Sequence, residues 1–488
     1  MQLVHGGDWA GYRAEFGRDA LDFSANVSPL GLPEGVAKAI TAVLATADRY
    51  PDPLCRALRE KLAVAEGVPA EWLLCGNGAA DLIFRLALAA KPRTALVTAP
   101  TFAEYATALE TEGCTVERHF LREENDFAVT KDLLNAVHPG TNMVFLCQPN
   151  NPTGQLAEPA LVEALLRRCE AVGAVLAVDE CFLDFLPEGE GLSAKHLLKN
   201  SKKLIILKAF TKLYGMAGVR LGYCLCSDTE MLARMRAAGQ PWAVSSLAQA
   251  AGIAALDETE YVAKVRALIE AQRPVLADGL RALGLRVIDG KANYLLFRAP
   301  ADLNERLRPL GTQVRSCANY PGLGPEWYRT AVRTARDAGF DSVEVHAGHG
   351  YLISQFLSPY TNRRRDEYGG SLPNRMRFLR MCLDEVMETA ARRNMAVLVK
   401  HNMEDGFKGG IEIPESLEIA RAIETYGVDG IVLSSGFVSK APMAVMRGII
   451  PLYTMSYYMQ WWLRIFVRLF GRYMIKQYPF EECFFLEN

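Results

Sequence analysis

Short runs of apolar and β-branched residues alternate with longer amphipathic stretches between residues 30 and 330. The short runs predict strands, because turn residues bound them and they are too short for typical helices. They are TALVTAP (94–100), TVERHFL (115–121), NMVFLCQP (142–149), AVLAVDE (174–180), KLIILKAF (203–210) and RLGYCLC (220–226). The longer stretches predict helices, namely ALREKLAVAEG (57–67), AEYATALETEG (103–113), EPALVEALLRRCEAVG (158–173) and VAKVRALIEAQRPVLADGLRALG (262–284).

This alternation predicts an α/β fold, with a mostly parallel sheet that carries helices on both faces. The later segments 286–300 and 311–334 have the pattern of a smaller α+β lobe. In sheets of this kind, ligands bind beyond the carboxyl ends of the strands. The residues with the most informative chemistry follow the predicted strands directly, so we expect them to meet at one edge of the sheet.

The composition narrows the class of protein. The chain has 488 residues, 50% of them hydrophobic, and a net charge of -2. This length suggests about two to four domains, and the near-neutral charge gives no reason to expect nucleic acid as a partner. The 11 cysteines lack metal-binding spacing and sit mostly in apolar runs, so we expect no metal and reduced thiols in a cytoplasmic protein. We expect no secretory signal at the N-terminus. We also expect no membrane span, because arginines interrupt the most apolar segment.

Lys212 carries the strongest chemical signal. It follows a predicted buried strand, and Arg220 follows eight residues later in a glycine-rich turn. Pyridoxal phosphate (PLP) enzymes need a lysine amine that forms a Schiff base with the cofactor aldehyde. An arginine can bind the cofactor phosphate with two parallel hydrogen bonds. A surface lysine beside a turn is the alternative interpretation of this pattern alone.

Two further strand ends carry groups suited to the same cofactor. Asp179 ends the strand AVLAVDE, where a carboxylate can pair with the protonated pyridine nitrogen. Asn151 lies in the turn QPNNPTG and can donate to the ring oxygen of the cofactor. Taken singly, the first could be an ordinary strand-end carboxylate and the second an ordinary turn residue.

A glycine-rich turn and an aromatic residue complete the candidate cofactor site. In CGNGAADLIF (75–84), the N–H groups of Gly78, Ala79 and Ala80 can hold a phosphate at the start of a helix. Phe102 can stack on the pyridine ring, and either it or Tyr105 could instead be core packing.

The ordered motifs GNGAA, PTF, NNPTG, VDE, TK and VRLGY, which span some 300 residues, resemble the fold-type I PLP enzymes. Within that fold they resemble the histidinol-phosphate aminotransferase group. The resemblance implies that Thr211 also binds the cofactor. It also implies a homodimer with shared active sites, since Tyr50 in RYPDP matches a tyrosine that reaches the phosphate of the neighbouring subunit's cofactor.

Other segments resemble the threonine-phosphate decarboxylases of cobalamin biosynthesis. These are HGGD (5–8), LDFSANVSPLGLP (21–33) and CANYPGLGPEWYRTAVRT (317–334). The resemblance implies conversion of O-phospho-L-threonine to (R)-1-amino-2-propanol phosphate and carbon dioxide. Phe182 stands where the aminotransferases usually carry a tyrosine, which also favours the decarboxylases. An aminotransferase acting on histidinol phosphate is the alternative.

The substrate of such a decarboxylase has two anionic groups, a carboxylate and a phosphate. Arg329 matches the family's carboxylate-binding arginine, and Asn26 is expected near the amino acid end of the substrate. Arg315, Arg333 and His5 are candidates for the phosphate, and solvated surface side chains are the alternative for these three. We therefore predict a PLP domain over residues 1–334, with a large part at about 30–265 and a small lobe built from the N-terminal arm and about 266–334.

The pattern changes after residue 334. The strand DSVEVH (341–346) ends in His346, and His349 and Tyr351 follow; DEYGGSLPNR (366–375) comes next. These motifs resemble the old yellow enzymes, FMN-dependent (β/α)₈ barrels in which the histidine pair binds an acceptor oxygen and the tyrosine donates a proton. Lys400, at the end of AVLVK, falls where that family places a basic residue near the flavin.

Residues 335–488 are too few for a whole barrel of about 250 residues. We therefore predict an incomplete barrel that lacks the late phosphate-binding loops and does not bind FMN tightly. The competing interpretations are a flavin oxidoreductase and a nonfunctional hybrid chain. The aromatic and basic segment 454–488 could lie on a membrane surface, or it could be a family insertion or unpaired core.

Overall fold

The computed structural model describes residues 6–333, 342–393 and 395–437. The chain divides into two compact units, Met1–Asp337 and Ala338–Asn488. The predicted boundary after residue 334 falls within 334–341, outside the described residues, and stays a prediction. The segment 454–488 also lies outside them.

The strands of the first unit include all those predicted from the sequence. They are β1 (Leu21–Asp22), β2 (Leu73–Gly76), β3 (Thr94–Ala99), β4 (Thr115–Phe120), β5 (Met143–Cys147), β6 (Val175–Asp179), β7 (Leu204–Ala209), β8 (Gly222–Leu225), β9 (Arg286–Ile288), β10 (Tyr294–Arg298), β11 (Thr312–Gln313), β12 (Arg315–Ser316) and β13 (Trp327–Ala331). The predicted strands correspond to β3 through β8.

The helices of the first unit likewise include the predicted ones, as α3, α5, α7 and α12. They are α1 (Trp9–Phe16), α2 (Glu34–Val43), α3 (Arg56–Glu66), α4 (Gly78–Ala90), α5 (Glu104–Thr111), α6 (Leu133–Ala136), α7 (Pro159–Val172), α8 (Gly189–Leu192), α9 (Phe210–Leu213), α10 (Thr229–Ala237), α11 (Ser246–Ala255), α12 (Thr259–Ala282) and α13 (Leu303–Leu307). Short 3-10 helices occupy Leu44–Thr46, Ala70–Trp72, Glu123–Asn125, Leu183–Phe185, Ala194–Lys199 and Arg308–Leu310.

Among the described residues, a seven-stranded sheet has the order β2-β8-β7-β6-β5-β3-β4. Strand β8 runs antiparallel to both of its neighbours, and the pairs from β7 to β4 are parallel. The register aligns Asp179 with Cys147 on one side and with Leu207 on the other. The carboxyl ends of β5, β6 and β7 therefore lie at one edge of the sheet, as predicted.

Both faces of this sheet are buried. Along β5, Phe145 packs in one core layer with Leu86 of α4, and the next residue, Leu146, packs in the opposite layer with Leu165 of α7. Successive side chains of a strand point to opposite faces, so a strand covered on both sides is apolar throughout. This explains why β3, β5 and β7 are mostly apolar, whereas the edge strand β4 (TVERHF) is only partly buried.

The smaller lobe contains an antiparallel sheet with the order β12-β13-β10-β9. The N-terminal arm is attached to this lobe, because β1 pairs in parallel with β11. Hydrogen bonds continue the attachment, since Phe23 N donates to Gln313 O at 2.8 Å and Ala331 N donates to Phe23 O at 2.8 Å. The arm is thereby held beside Arg329 on β13.

The second unit begins its described part with β14 (Ser342–Ala347), followed by α14 (Leu352–Leu357), α15 (Leu372–Arg375), α16 (Arg377–Arg393), β15 (Ala396–Asn402), α17 (Ile413–Glu424) and β16 (Gly430–Ser434). Within these residues the strands form a parallel sheet in the order β14-β15-β16. Val345, Leu379, Val397 and Ile419 share its apolar core. Strands and helices alternate here as in an α/β barrel, but the described residues do not close one.

No helix in the described part of either unit combines the length and the apolar character needed to cross a membrane.

Candidate functional site

A cavity of about 780 Å³ lies at the carboxyl ends of the parallel strands in the first unit. Its wall brings together residues from the N-terminal arm, the large sheet and the small lobe. The predicted site residues that line it are Asn26, Ala79, Ala80, Phe102, Asn151, Asp179, Thr211, Lys212, Arg220, Arg315, Arg329 and Arg333.

Lys212 enters the cavity from the short helix α9, which follows β7 directly. Its backbone oxygen accepts a hydrogen bond from Ser28 N at 2.8 Å, and its Nζ lies 6.0 Å from the centre of the Phe182 ring. Burial, with the nearby Arg329 and Arg220 charges, lowers the pKa of Lys212 to about 8. The neutral, nucleophilic amine therefore forms at a lower pH than on an exposed lysine.

Asp179 is buried at the end of β6, and two donors fix its carboxylate. Tyr105 Oη donates to Oδ2 at 2.6 Å, and Cys181 N donates to Oδ1 at 3.0 Å. Burial and the Asp179 charge raise the pKa of Tyr105, so the phenol remains a donor. The sequence pattern did not indicate Tyr105 as the partner of Asp179, although Tyr105 lies only three residues after Phe102.

Arg329 joins two walls of the cavity. Its Nη1 donates to Asn151 Oδ1 at 2.5 Å, and its Nη2 donates to Ser24 O at 2.8 Å. Its Nε is buried without a hydrogen-bond partner among the described residues. A buried donor of this kind is costly unless a ligand satisfies it. Asn150, which precedes Asn151 in the chain, has a structural role, because its Oδ1 accepts a hydrogen bond from Thr101 Oγ1 at 2.8 Å.

The start of α4 and Arg220 form an anion-binding corner. Helix α4 begins at Gly78, with φ of +83°, and a Cβ there would lie 2.8 Å from Arg220 Nη2. Glycine therefore lets the guanidinium approach the N–H groups of this helix turn. Arg220 itself has φ of +62°, which is rare outside glycine. Of the three predicted phosphate-binding residues, Ala79 and Ala80 line the cavity, whereas Gly78 is not among its lining residues.

A second basic region lies on the small-lobe side. Arg315 Nη2 donates to Asn319 Oδ1 at 2.7 Å, and Arg333 Nη2 donates to Ala25 O at 2.9 Å. Asn26 is 2% exposed, and its Oδ1 lacks a hydrogen-bond partner among the described residues. Together with Arg329, these arginines give the cavity wall enough guanidinium groups to bind a ligand with two anionic groups.

The aromatic residues divide between the cavity and the core. Phe102 lines the cavity and meets the Tyr105 ring edge-on at 5.6 Å, whereas Tyr105 is fully buried against Phe145. Of the two alternatives, Phe102 is thus the ring available to a ligand. Phe182 also lines the cavity and packs edge-on against Tyr294 at 5.1 Å, so this wall offers no hydroxyl at position 182.

The remaining predicted residues of the first unit are Tyr50 and His5. Tyr50 is not among the lining residues; it is 80% exposed and stacks on Trp242 at 4.5 Å. An exposed position suits a residue that contacts a second subunit, and that role stays a prediction. His5 lies outside the described residues.

In the second unit, the flavin-enzyme-like residues form one cluster. The His346 ring lies 5.0 Å from that of His349 and 4.9 Å from that of Tyr351. Burial is the main cause that lowers the pKa of both histidines. Lys400 is aligned with His346 on the neighbouring strand, and its Nζ pairs with Glu344 Oε1 at 2.9 Å. No His, Cys, Asp or Glu group within the described ranges is arranged to hold a metal.

The cavity of the first unit fits PLP in its chemistry. The corner at Arg220 and α4 suits the phosphate, Asp179 suits the pyridine nitrogen, and Lys212 suits the aldehyde. Phe102 offers an aromatic face beside them. The arginines of the small-lobe side have the charge to bind the anionic groups of a second ligand.

Comparison with known proteins agrees with this chemistry. The chain is 41% identical over 319 residues to a threonine-phosphate decarboxylase of Salmonella typhimurium. The match covers 64% of this chain and 87% of that protein. It is 35% identical over 325 residues to a histidinol-phosphate aminotransferase of Symbiobacterium thermophilum, over 65% of this chain and 87% of that protein.

Among solved structures, the histidinol-phosphate aminotransferase of Clostridium acetobutylicum superimposes with a TM-score of 0.61 at 26% identity. The match covers 65% of this chain and 95% of that one. Residues 326–445 match the NADH:flavin oxidoreductase / NADH oxidase family. Residues 18–338 match the family described as aminotransferase class I and II. The chain therefore belongs to the aminotransferase class I and II family, and its C-terminal part is similar to the flavin oxidoreductases.

Proposed function

We propose that the first unit is a PLP-dependent decarboxylase that converts O-phospho-L-threonine to (R)-1-amino-2-propanol phosphate and carbon dioxide, a step of cobalamin biosynthesis. The observation that carries this proposal is the placement of Arg315, Arg329 and Arg333 in the same cavity as Lys212. A substrate with both a carboxylate and a phosphate needs two such cationic sites. The similarity to a threonine-phosphate decarboxylase supports the same choice.

When bound, PLP supplies an electron sink for the electrons left at the substrate Cα as a bond to that atom breaks. Lys212 would hold the cofactor through its side-chain amine. The same amine would deliver a proton to the substrate Cα after carbon dioxide leaves. The Asp179 carboxylate, which accepts a hydrogen bond from the Tyr105 hydroxyl, would pair with the pyridine nitrogen.

The arginines orient the substrate. We assign Arg329 to the substrate carboxylate, since its buried Nε has a free donor position and its Nη1 is fixed on Asn151. We assign Arg315 and Arg333 to the phosphate, and Asn26 to the amino acid end of the substrate. Correct orientation decides which bond to Cα is weakened, so these contacts set the reaction outcome.

An aminotransferase acting on histidinol phosphate is the second candidate of this class. The observation that favours it is the similarity to histidinol-phosphate aminotransferases, which reaches 35% identity. The phenyl ring of Phe182 in the cavity wall argues against it, because the aminotransferases of this group usually carry a tyrosine hydroxyl there.

Substrate assays should separate the two candidates. We expect the full chain with PLP to release carbon dioxide from O-phospho-L-threonine, and to form no glutamate from 2-oxoglutarate when histidinol phosphate is the amino donor. The same preparation is assayed for trapped carbon dioxide and for glutamate. Efficient glutamate formation with histidinol phosphate, without carbon dioxide release, would instead assign the chain to the aminotransferases.

A conservative variant connects that activity to the cavity. Arg329→Lys keeps the charge but loses the planar fork, and loss of a charged hydrogen bond costs about 1.5–3 kcal/mol, so kcat/KM should fall about 10- to 100-fold. Arg306→Lys, at an exposed position on α13, should leave kcat/KM unchanged. Equal activity of the two variants would remove Arg329 from the substrate site.

We also propose that two copies share their active sites, with Tyr50 of one copy reaching the cofactor phosphate of the other. The stacked rings of Tyr50 and Trp242 are 80% and 45% exposed, so they present apolar surface that a second copy would cover. The resemblance of RYPDP to the shared-site motif supports the same arrangement.

A function of another class is a flavin-dependent reduction by the second unit, favoured by the packing of His346, His349 and Tyr351. We expect the full chain, mixed with FMN and then desalted, to retain less than stoichiometric flavin. The physical reason is that Lys400 Nζ is already paired with Glu344 and is therefore not available to an anionic ligand. The described cluster would contact FMN on one side only. Stoichiometric flavin that NADH or NADPH bleaches would contradict this expectation and make the protein bifunctional.

A further inference from the structure

A second cavity of the first unit, of about 330 Å³, contains two cysteines. Cys55 lies just before α3, and Cys75 lies on β2, 20 positions later in the chain. Both line this cavity, and their exposed fractions are 5% and 6%. Neither belongs to the candidate cofactor site, and both thiols are free in this structure.

The two thiols are hydrogen-bonded to each other, and they differ in acidity. The hydrogen bond from Cys75 lowers the pKa of Cys55, helped by the Arg59 and Arg236 charges and opposed by burial and Asp52. The same contact, then burial and the neighbouring Cys224, raises the pKa of Cys75. Cys55 is thus the more acidic thiol of the pair, and Cys75 is the less acidic one.

The surroundings favour negative charge on Cys55. Arg236 and Arg85 line the same cavity, and Arg85 Nη2 is buried without a hydrogen-bond partner among the described residues. Asp52, the carboxylate that opposes this effect, is engaged with Arg56 Nη1 at 2.6 Å and with the N–H groups of Leu54 and Arg56. A thiolate beside cations and in contact with a second thiol is the arrangement of reactive dithiols.

We propose that Cys55 and Cys75 form a reversible dithiol–disulfide pair that responds to peroxide. In the first step the Cys55 thiolate attacks hydrogen peroxide; an S–O bond forms, the O–O bond breaks, and the leaving hydroxide takes a proton to become water. In the second step Cys75, deprotonated as it attacks, forms the S–S bond, and a second water leaves. Two thiols are oxidised and one peroxide is reduced to two waters; an external dithiol reverses the change.

The position of the pair connects it with the cofactor site. Cys55 lies five residues after Tyr50 in the chain. Cys75 lies three residues before Gly78, where α4 begins. A disulfide would tie these two segments together covalently. The inference does not depend on which substrate the enzyme uses.

Peptide mapping of the full chain tests the proposal directly. Trypsin cleaves after Arg49, Arg56, Lys61 and Arg85, so Cys55 and Cys75 fall in separate peptides, 50–56 and 62–85, that contain no other cysteine. The holoenzyme is treated with hydrogen peroxide, its remaining thiols are alkylated under denaturing conditions, and the digest is analysed without reductant. We expect the linked 50–56/62–85 peptide, and a titre of free thiols that falls from eleven to nine.

Variants show whether the effect belongs to this pair. Cys55→Ser should keep its remaining thiols under the same peroxide dose, whereas Cys114→Ser, a cysteine outside this cavity, should still form the linked peptide. Dithiothreitol should restore both thiols of the native chain. Full alkylation of Cys55 and Cys75 after peroxide, overoxidation of Cys55 alone, or a link between Cys75 and Cys224 would each overturn the proposal.

Discussion

Replacing Lys212 with alanine should abolish turnover while leaving the fold largely intact. The substitution removes both the amine that holds the cofactor and the group that carries the proton at the substrate Cα. Proton transfer alone contributes up to about 10⁴-fold, so the combined loss should exceed about 10⁴-fold in kcat. The loss in kcat is measured as the rate of carbon dioxide release from O-phospho-L-threonine, and circular dichroism shows whether the fold is kept.

The matched control is Lys202→Ala, which removes an exposed lysine before β7 and should keep the native rate. A small primary amine added to Lys212→Ala should restore part of the activity, because it replaces the missing proton carrier. Retention of carbon dioxide release at more than about one hundredth of the native rate in Lys212→Ala would refute the assignment of this lysine, since acid–base groups contribute at least about 10²-fold.

Changing Asp179 to asparagine should lower activity by about 10²- to 10³-fold, the usual cost of removing one preorganised electrostatic contact from an active site. The neutral amide keeps the size of the side chain, but it offers one acceptor oxygen to the two donors, Tyr105 and Cys181, and it cannot hold a proton on the pyridine nitrogen. Rates under saturating substrate measure the effect.

A readout other than rate separates this role from general damage. The absorbance of the bound cofactor in Asp179→Asn should indicate an unprotonated pyridine nitrogen, and cofactor affinity should fall. Asp278→Asn, which changes a carboxyl that is 74% exposed on α12, serves as the control. An unchanged rate and spectrum in Asp179→Asn would show that the carboxylate does not meet the cofactor.

Most of the large sheet could be predicted from the sequence, because buried parallel strands are continuous apolar runs bounded by turns. Strands β3, β5, β6 and β7 follow this rule, whereas β4 (TVERHF) is only partly buried and β8 runs antiparallel. Strand β2, at Leu73–Gly76, did not stand out, since four buried residues before a glycine-rich turn carry too short a pattern. The attachment of the N-terminal arm through β1 and β11 depends on two-residue pairing and also could not be predicted.

The grouping of the candidate site was predictable where residues directly follow strands. Asp179, Asn151 and Lys212 meet because parallel strand ends meet. The Tyr105–Asp179 hydrogen bond was not predictable, because it joins a helix and a strand far apart in the sequence. The pairing of Lys400 with Glu344 also needed the register of β14 and β15, which no local pattern specifies.

The central claim is that Lys212 binds PLP covalently in a cavity of the first unit. The most direct measurement incubates the purified full chain with PLP, reduces it with borohydride, and maps the modified peptide by mass spectrometry. Capture should become faster as the pH rises through about 8, because the lowered pKa of Lys212 sets the fraction of neutral amine. Lys208, which pairs with Glu66 and Asp184 at 3.0 Å each, should remain unmodified. The account predicts one reduced cofactor per chain, on Lys212; no incorporation, or incorporation at another lysine, would contradict it.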